Sequence, residues 1–382
     1  MFVERLLENN PKLIEASLSL YKQGLLMPNT YVLDYDAILD NGKAMLEEAK
    51  KYDIKLFYML KQIGRNPLIA KGLDELGFAG CVAVDFDEAM TMKNNGCKLG
   101  HVGHLVQIPR NLIKDTLEAK PEYITVYSMQ KILDINEEAK KLGIVQKLCI
   151  RITDEDSDLY SGQIGGFSSS HLKCLVKEIE KLDNVKVGGL TVFPALLYDG
   201  QDKKIKPTKN INAMNRAKAI MEELGYKDLM INMPSCTCVN SIPLIKQIGG
   251  THGEPGHGLS GTTPLHKDTK QIEKVAYLYL SEVSHNFDKH AYIYGGGHYR
   301  RSHMENALVG YDLKKAKVCA PSMESIDYHY ELDQNYDVNE PVIMCYRTQV
   351  FTTRSHVAVV KGISTDNIEL LGVYNGLGQR EK

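Results

Sequence analysis

The chain has 382 residues, 43% hydrophobic and 25% charged, and its 46 basic side chains nearly balance 48 acidic ones, for a net charge of −2. That is the composition of a soluble globular protein, and the length suits a barrel of ~250 residues with a second module of ~100. It argues against nucleic acid and membrane: the densest basic run, Lys203-Lys-Ile-Lys-Pro-Thr-Lys209, sits beside Asp199 and Asp202 as a solvated loop, and no apolar run is long enough to span a bilayer.

Residues 1–28 read as a terminal helical segment. A strand follows at 31–35, then a helix over 37–52 with Ile38, Leu39, Ala44, Met45 and Ala49 at helical spacing. Strand 56–60 and a helix near 67–76 come next, then strand 81–84, helix 87–95 and a strand over 99–106. Pro109 opens another helix. Strands 123–126 and 147–152 flank helix 129–142, helix 168–182 precedes strand 187–193, and helix 212–224 precedes strand 229–233. Roughly eight β/α units across 29–265 predict an α/β fold, a (β/α)8 TIM-type barrel. No Gly-x-Gly-x-x-Gly follows the first strand to favour an open doubly wound sheet. After Gly261 the texture changes to short β-type runs at 275–283, 292–294, 317–320, 342–346, 357–360 and 368–373, punctuated by Gly, Asn and Asp. A smaller all-β C-terminal domain is expected over 266–382.

Lys61 ends the apolar run Lys55-Leu-Phe-Tyr-Met-Leu-Lys61, and Gly64 and Pro67 then break the strand. A lysine at a strand's carboxyl end has its stem anchored in a core and its amine at the barrel face where active sites lie. Such an amine, once desolvated, sheds its proton readily and can condense with an aldehyde; the plain alternative is a snorkelling surface lysine. Two stretches could cradle a phosphate: Pro234-Ser235-Cys236-Thr237, with its hydroxyls, and the glycine-dense Gly249-Gly-Thr251-His-Gly253-Glu254-Pro-Gly-His-Gly258. His101 and His104, three apart on a strand, face opposite sides unless Gly103 makes a bulge. Asp34 and Asp36 share a strand face, suited either to a site or to a loop. The eight cysteines, with no export signal ahead of them, are expected as thiols in a reducing cytoplasm. Cys236 and Cys238 have no second Cys or His pair at zinc-like spacing, and no metal is expected.

Together these residues resemble the fold-type-III pyridoxal-phosphate enzymes, the alanine racemase superfamily, and within it the YhfX-like group. The most specific stretches are Tyr31-Val-Leu-Asp-Tyr-Asp36 leading to Tyr58-Met-Leu-Lys61-Gln-Ile-Gly-Arg-Asn-Pro67, then Leu99-Gly-His101-Val-Gly-His104-Leu-Val-Gln-Ile-Pro109, and Gly250-Thr-His-Gly-Glu-Pro-Gly-His-Gly258. The resemblance implies pyridoxal 5′-phosphate bound as a Schiff base to Lys61, at the end of the second barrel strand. It places the phosphate on Ser235, with Thr237 nearby and backbone donors at Gly253 and Glu254. Thr251 falls where an arginine commonly faces the pyridine nitrogen, and Glu254, if turned inward, would strengthen the electron sink. Phe193 takes the ring-stacking position. Gln163 replaces the arginine that pairs with the substrate carboxylate, which turns attention to Arg300 or Arg354.

In Tyr294-Gly-Gly-Gly-His298-Tyr299-Arg300-Arg301 the resemblance suggests a second acid–base group, completing a partner's site in a homodimer. Tyr299 is the first choice, with His298 beside it, and Tyr311, Tyr328 and His329 follow. The implied activity is racemisation or epimerisation of an amino acid at Cα by two bases. The alternatives are a D-amino-acid lyase (aldolase or dehydratase) and a non-catalytic pyridoxal-phosphate carrier. The lyases' metal-binding pattern, a His with Cys or Asp two residues on, is not reproduced at His329-Tyr-Glu331 or His356-Val-Ala358.

Overall fold

The structure is a computed structural model and describes residues 2–382. They divide into two compact units, each assembled from separated stretches: residues 44–60 with 70–256, and residues 2–43 with 61–69 and 257–382.

The first unit is the expected barrel. Among the described residues eight strands, Lys55–Leu56, Cys81–Ala83, Leu99–Val102, Tyr123–Val126, Gln146–Arg151, Val185–Thr191, Met230–Asn232 and His252–Gly253, form one parallel sheet. A parallel bridge between Tyr58 and Cys81 joins its two edges, so the sheet closes on itself. Helices between the strands cover the outside. Met129–Leu142 is typical: the Ser128 hydroxyl accepts the Lys131 N–H at 3.3 Å to start it, and Gly143, at φ 66°, ends it in the left-handed region. The basic run at 203–209 belongs to a two-stranded antiparallel ribbon, Leu196–Asp199 with Lys204–Pro207, and Lys206 is ion-paired to both Asp199 and Asp202.

The second unit carries a nine-stranded, mostly antiparallel sheet, as the C-terminal β runs led us to expect. One sequence-based expectation is corrected here. Residues 31–35 look like the first barrel strand, but Thr30–Asp34 lies within this other sheet, antiparallel to Tyr277–Phe287 and parallel to His356–Lys361. All five of its residues are buried, so its pattern suits a central strand of either sheet. The eighth barrel place goes instead to His252–Gly253, two residues in a glycine-dense stretch with no β signature. Lys61 therefore follows the first barrel strand in chain order, not the second.

Alternation divides this sheet into two faces. Val32, Leu278, Leu280, Ile343, Ala358 and Val360 point one way, into a core with Phe2, Leu6, Leu13 and Ile14 of the helices Phe2–Asn9 and Pro11–Lys22. Tyr31, Tyr277, Tyr279 and Tyr346 point the other way and pack edge to face, the Tyr31 ring centroid 5.0 Å from that of Tyr279. Asp34 and Asp36 do not share a strand face, since Asp36 lies in the helix Tyr35–Lys51, and both are structural. Asp34 accepts from Asn10 Nδ2 (2.9 Å) and from the Ala37 N–H (3.0 Å), while Asp36 accepts the Gly362 N–H at 2.6 Å.

Candidate functional site

In the barrel unit the ionisable side chains gather where the strands end. His252 faces inward and stacks on Phe57 with ring centroids 5.2 Å apart. Gly253 faces the surrounding helices, where a Cβ would lie 2.8 Å from Ile245. Glu254 then faces inward again and is buried. Its Oε1 accepts from Asn232 Nδ2 (2.7 Å) and meets His101 Nδ1 at 2.8 Å. His101 Nε2 in turn bonds the Thr125 hydroxyl. Gly103 adopts φ 81°, a turn that brings His104 to the same side as His101, with ring centroids 5.1 Å apart and His104 Nε2 3.7 Å from Glu254. Burial alone would raise the Glu254 pKa, but the His104 and His101 rings and the bonds from His101 and Asn232 outweigh it and hold the carboxyl down to about 2. Glu254 Oε2 accepts no hydrogen bond among the described residues. An anionic oxygen so placed can take a proton donor such as a protonated ring nitrogen. The ligand atoms of His101, His104 and Glu254 also lie within 4.8 Å of one another, which suits a divalent cation as well.

His252, one layer away, is held neutral. Burial first, then the electrostatic influence of Lys55 and of the His101 ring, lower its pKa to about 4. The unfolded chain takes up that proton near pH 6.5, so stability is lost as pH falls from about 6.5 to 4, by roughly 3 kcal/mol in all. Thermal melts between pH 7 and 4 should show this slope in the parent protein and a much flatter one in His252→Gln.

The other barrel positions are distributed as follows. Ser235 and Cys236, separated by two residues from strand Met230–Asn232, adopt φ 89° and 50° in succession, conformations that non-glycine residues avoid and that concentrate at functional sites. The Thr237 hydroxyl accepts the Glu254 N–H at 3.2 Å, so a donor expected to face a phosphate is occupied within the barrel. Thr251 stands at the amino end of its strand, with its hydroxyl on the Ile231 N–H (2.8 Å) and beside His252 Nδ1 (2.8 Å), away from the Glu254 cluster. Phe193 lies edge-on to His104 at 5.3 Å and joins the cluster. The main-chain carbonyl of Gln163, not its side chain, makes the notable contact, accepting Arg151 Nη2 at 2.7 Å.

Arg151 itself gave no sequence signal beyond closing a strand. It is almost wholly buried, donates Nη1 to the Tyr127 hydroxyl at 2.6 Å, and places its guanidinium 5.0 Å from the Tyr127 ring centroid and 5.9 Å from that of Phe193. No carboxylate pairs with it among the described residues, and its Nε has no hydrogen-bond partner there. A buried cation without a counter-ion is costly unless an anion joins it.

In the sheet unit Lys61 opens a 3₁₀ turn, Lys61–Ile63, that ends at Gly64. Gly64 has φ 74°, and a Cβ there would lie 2.8 Å from Val357, so only glycine lets this turn press onto the tyrosine-bearing face. His257 lies half-buried next to it. Its Nε2 lies 3.1 Å from the Thr348 carbonyl, and the Thr348 hydroxyl donates to Tyr31, whose own hydroxyl is 3.1 Å from that of Tyr346. Burial, then the charges of Arg347 and Lys61, push the His257 pKa well below its ordinary value. Lys61 thus has a neutral imidazole as neighbour. Neither His257 nor Arg347 was singled out from sequence: His257 sits within the quoted Gly250–Gly258 stretch without a role of its own, and Arg347 belongs to no motif.

A second group in the same unit surrounds His298. His298 Nδ1 is 3.0 Å from Asp327 Oδ2, its ring stands edge-on to Tyr330, and Arg354 Nη2 donates to the Asp327 carbonyl at 2.7 Å. Tyr299 is half-buried with Arg301 over its ring, Arg300 contacts Met323, and the guanidinium of Arg354 covers Tyr328. Of the expected acid–base candidates, His298 is the one oriented by a carboxylate. Tyr311 and His329 lie elsewhere, Tyr311 beneath Lys22 and His329 beside His285 and Tyr294.

Residues 33–264 match the family described as "Alanine racemase, N-terminal domain", and residues 278–370 match "YhfX-like, C-terminal domain". The chain is 42% identical over 383 residues to the uncharacterized protein YhfX of Escherichia coli (strain K12), covering 99% of both chains. Among solved structures it resembles D-threonine aldolase from Filomicrobium marinum (TM-score 0.67, 15% identity, 93% of this chain and 95% of that one). It also resembles alanine racemase of Clostridium difficile 630 in complex with cycloserine (TM-score 0.65, 18% identity, 92% and 99%). No helix among the described residues is long and apolar enough to cross a membrane.

Proposed function

Because the chain belongs to the alanine racemase N-terminal domain family, with a YhfX-like C-terminal domain, we propose that it binds pyridoxal 5′-phosphate and acts at Cα of an amino acid as a racemase or epimerase. When bound, the cofactor supplies an electron-withdrawing ring that acidifies the substrate's Cα–H. The observation that carries the reading is Glu254: a buried carboxylate, kept ionised, with one oxygen fixed by His101 and Asn232 and the other free to accept a hydrogen bond. The residues present fit the cofactor. Glu254 would meet the pyridine nitrogen, the strained Ser235–Cys236 turn would hold the phosphate, and Phe193 and His104 would bound the ring. Lys61 would retain the cofactor through its amine, and the neutral His257 beside it adds no further positive charge there. Arg151 would take an anionic oxygen of the bound ligand, a part sought in Arg300 and Arg354 from sequence.

Inversion at Cα needs a proton donor and acceptor on each face. Lys61 would serve one. For the other we favour His298 over Tyr299: with Nδ1–H donated to Asp327, Nε2 is left as the basic nitrogen. As His298 belongs to the C-terminal domain, a homodimer whose subunits complete each other's sites suits this assignment.

Glu254 also favours a second reading. A carboxylate at the ring nitrogen makes a stronger electron sink than racemisation requires, which suits lyase or decarboxylase chemistry. One experiment separates the possibilities: purified protein with pyridoxal phosphate in D₂O, given both enantiomers of a panel of amino acids. Deuterium at Cα with loss of optical purity supports racemisation. Aldehyde, ammonia or CO₂ without racemisation supports the second reading, and bound cofactor with no exchange at all supports a carrier.

A further inference from the structure

Away from both groups already described, one face of the sheet unit carries an unusual row of side chains. Strands His290–Tyr294 and His329–Leu332 pair antiparallel with Tyr292 opposite Glu331, and the next segment pairs Val318 with Leu332, which sets Cys319 opposite Glu331. Residues directly opposite share a face, as do residues two apart along a strand. Cys319, Glu331 and His290 therefore project together, while Ala291, Ile293, Tyr330 and Leu332 fill the buried side. His290 Nδ1 is hydrogen-bonded to Glu331, the Cys319 N–H donates to the Glu331 carbonyl at 2.8 Å, and the Cys319 sulfur, a ring nitrogen of His290 and a Glu331 oxygen all lie within 4.8 Å of one another. About four-tenths of the His290 and Glu331 side chains remains exposed, so the cluster is open to solvent.

We infer that Cys319, His290 and Glu331 form a binding site for a thiophilic divalent cation, Zn²⁺ or a close first-row relative, with water completing the coordination. The argument is the donor set. One thiol, one imidazole and one carboxylate converge from three chain segments, and sulfur with nitrogen selects Zn²⁺ over Mg²⁺ or Ca²⁺. A bound cation would take Cys319 as its thiolate, releasing one proton on binding. It would also tie the 318–320 segment to two strands, a structural role separate from the proposed chemistry at Lys61 and Glu254.

The test uses the full chain, stripped with a chelator and titrated with Co²⁺ alone. A thiolate ligand gives a sulfur-to-cobalt charge-transfer band in the near ultraviolet, and we expect it to saturate at one Co²⁺ per chain and to vanish on adding Zn²⁺. Cys319→Ser, at a half-buried position, should abolish the band with the protein still folded by circular dichroism. His290→Ala and Glu331→Gln should each weaken binding by at least about tenfold. Absence of the band from the parent protein, or its persistence in Cys319→Ser, would overturn the proposal. Cobalt binding at His101, His104 and Glu254 gives no such band, because no cysteine belongs to that set.

Discussion

Lys61→Ala should lose the borohydride-reducible link to pyridoxal phosphate altogether, and turnover should fall by at least 10²–10⁴-fold, roughly the contribution of a positioned acid–base group. Peptide mapping after reduction checks the first outcome: the parent chain should carry its label at position 61. A label elsewhere in the parent would remove the basis of the proposed chemistry. The substitution should leave the fold intact. The turn it opens is fixed by Gly64, whose backbone packs closely against Val357 and Val350. It should also register at His257, whose pKa is lowered by burial first and then by Arg347 and Lys61. Removing the lysine charge should raise the His257 pKa toward its ordinary value. Histidine NMR titration reads that shift without any cofactor, so it tests the adjacency independently of activity.

Glu254→Gln should be the second most damaging change. The amide keeps the shape and can still accept from Asn232, but it loses the charge that the cluster is built around. We expect turnover to drop by about 10²–10³-fold, as for loss of a positioned electrostatic partner, and the absorption band of the bound cofactor to move. The pH dependence of stability gives a separate check. Glu254 titrates near 2 in the fold against about 4.5 for an ordinary glutamate, so its contribution is complete above about pH 4.5 and is lost as pH falls toward 2. That difference amounts to roughly 3 kcal/mol. Acid unfolding should keep this limb in the parent and lack it in Glu254→Gln. Equal acid profiles would mean that the carboxylate is not ionised in the native state. Glu254→Ala should be harsher still, by about 3–5 kcal/mol, because it strands the His101 and Asn232 partners in the interior.

The barrel was legible because seven of its eight strands carry apolar runs that Gly, Pro or Asn interrupts, and so was the change to β structure after Gly261. The exchange of strand 31–35 for His252–Gly253 was not, because a fully buried strand has no polar face to say which sheet it serves. Motif reading reached Glu254, His101, His104 and Phe193, and the structure brings these four together. It also reached Thr251, which register places at the amino end of its strand, and Gln163, which acts through its carbonyl. Arg151, Asn232, His257 and Asp327 stayed hidden for a common reason. Each matters through a neighbour far away in the chain, and a lone Arg, Asn, His or Asp gives no local pattern to read.

Thr30–Asp34 has a consequence for how the polypeptide matures. Its hydrogen-bonding neighbours, Tyr277–Phe287 and His356–Lys361, leave the ribosome only after the whole barrel has been made. Until then the apolar sides of helices Phe2–Asn9 and Pro11–Lys22 have nothing permanent to rest against. Such delayed pairing slows assembly and leaves a sticky nascent segment exposed. Ribosome-stalled chains halted before residue 277 should therefore be cut readily by protease within residues 2–34, while the barrel already resists.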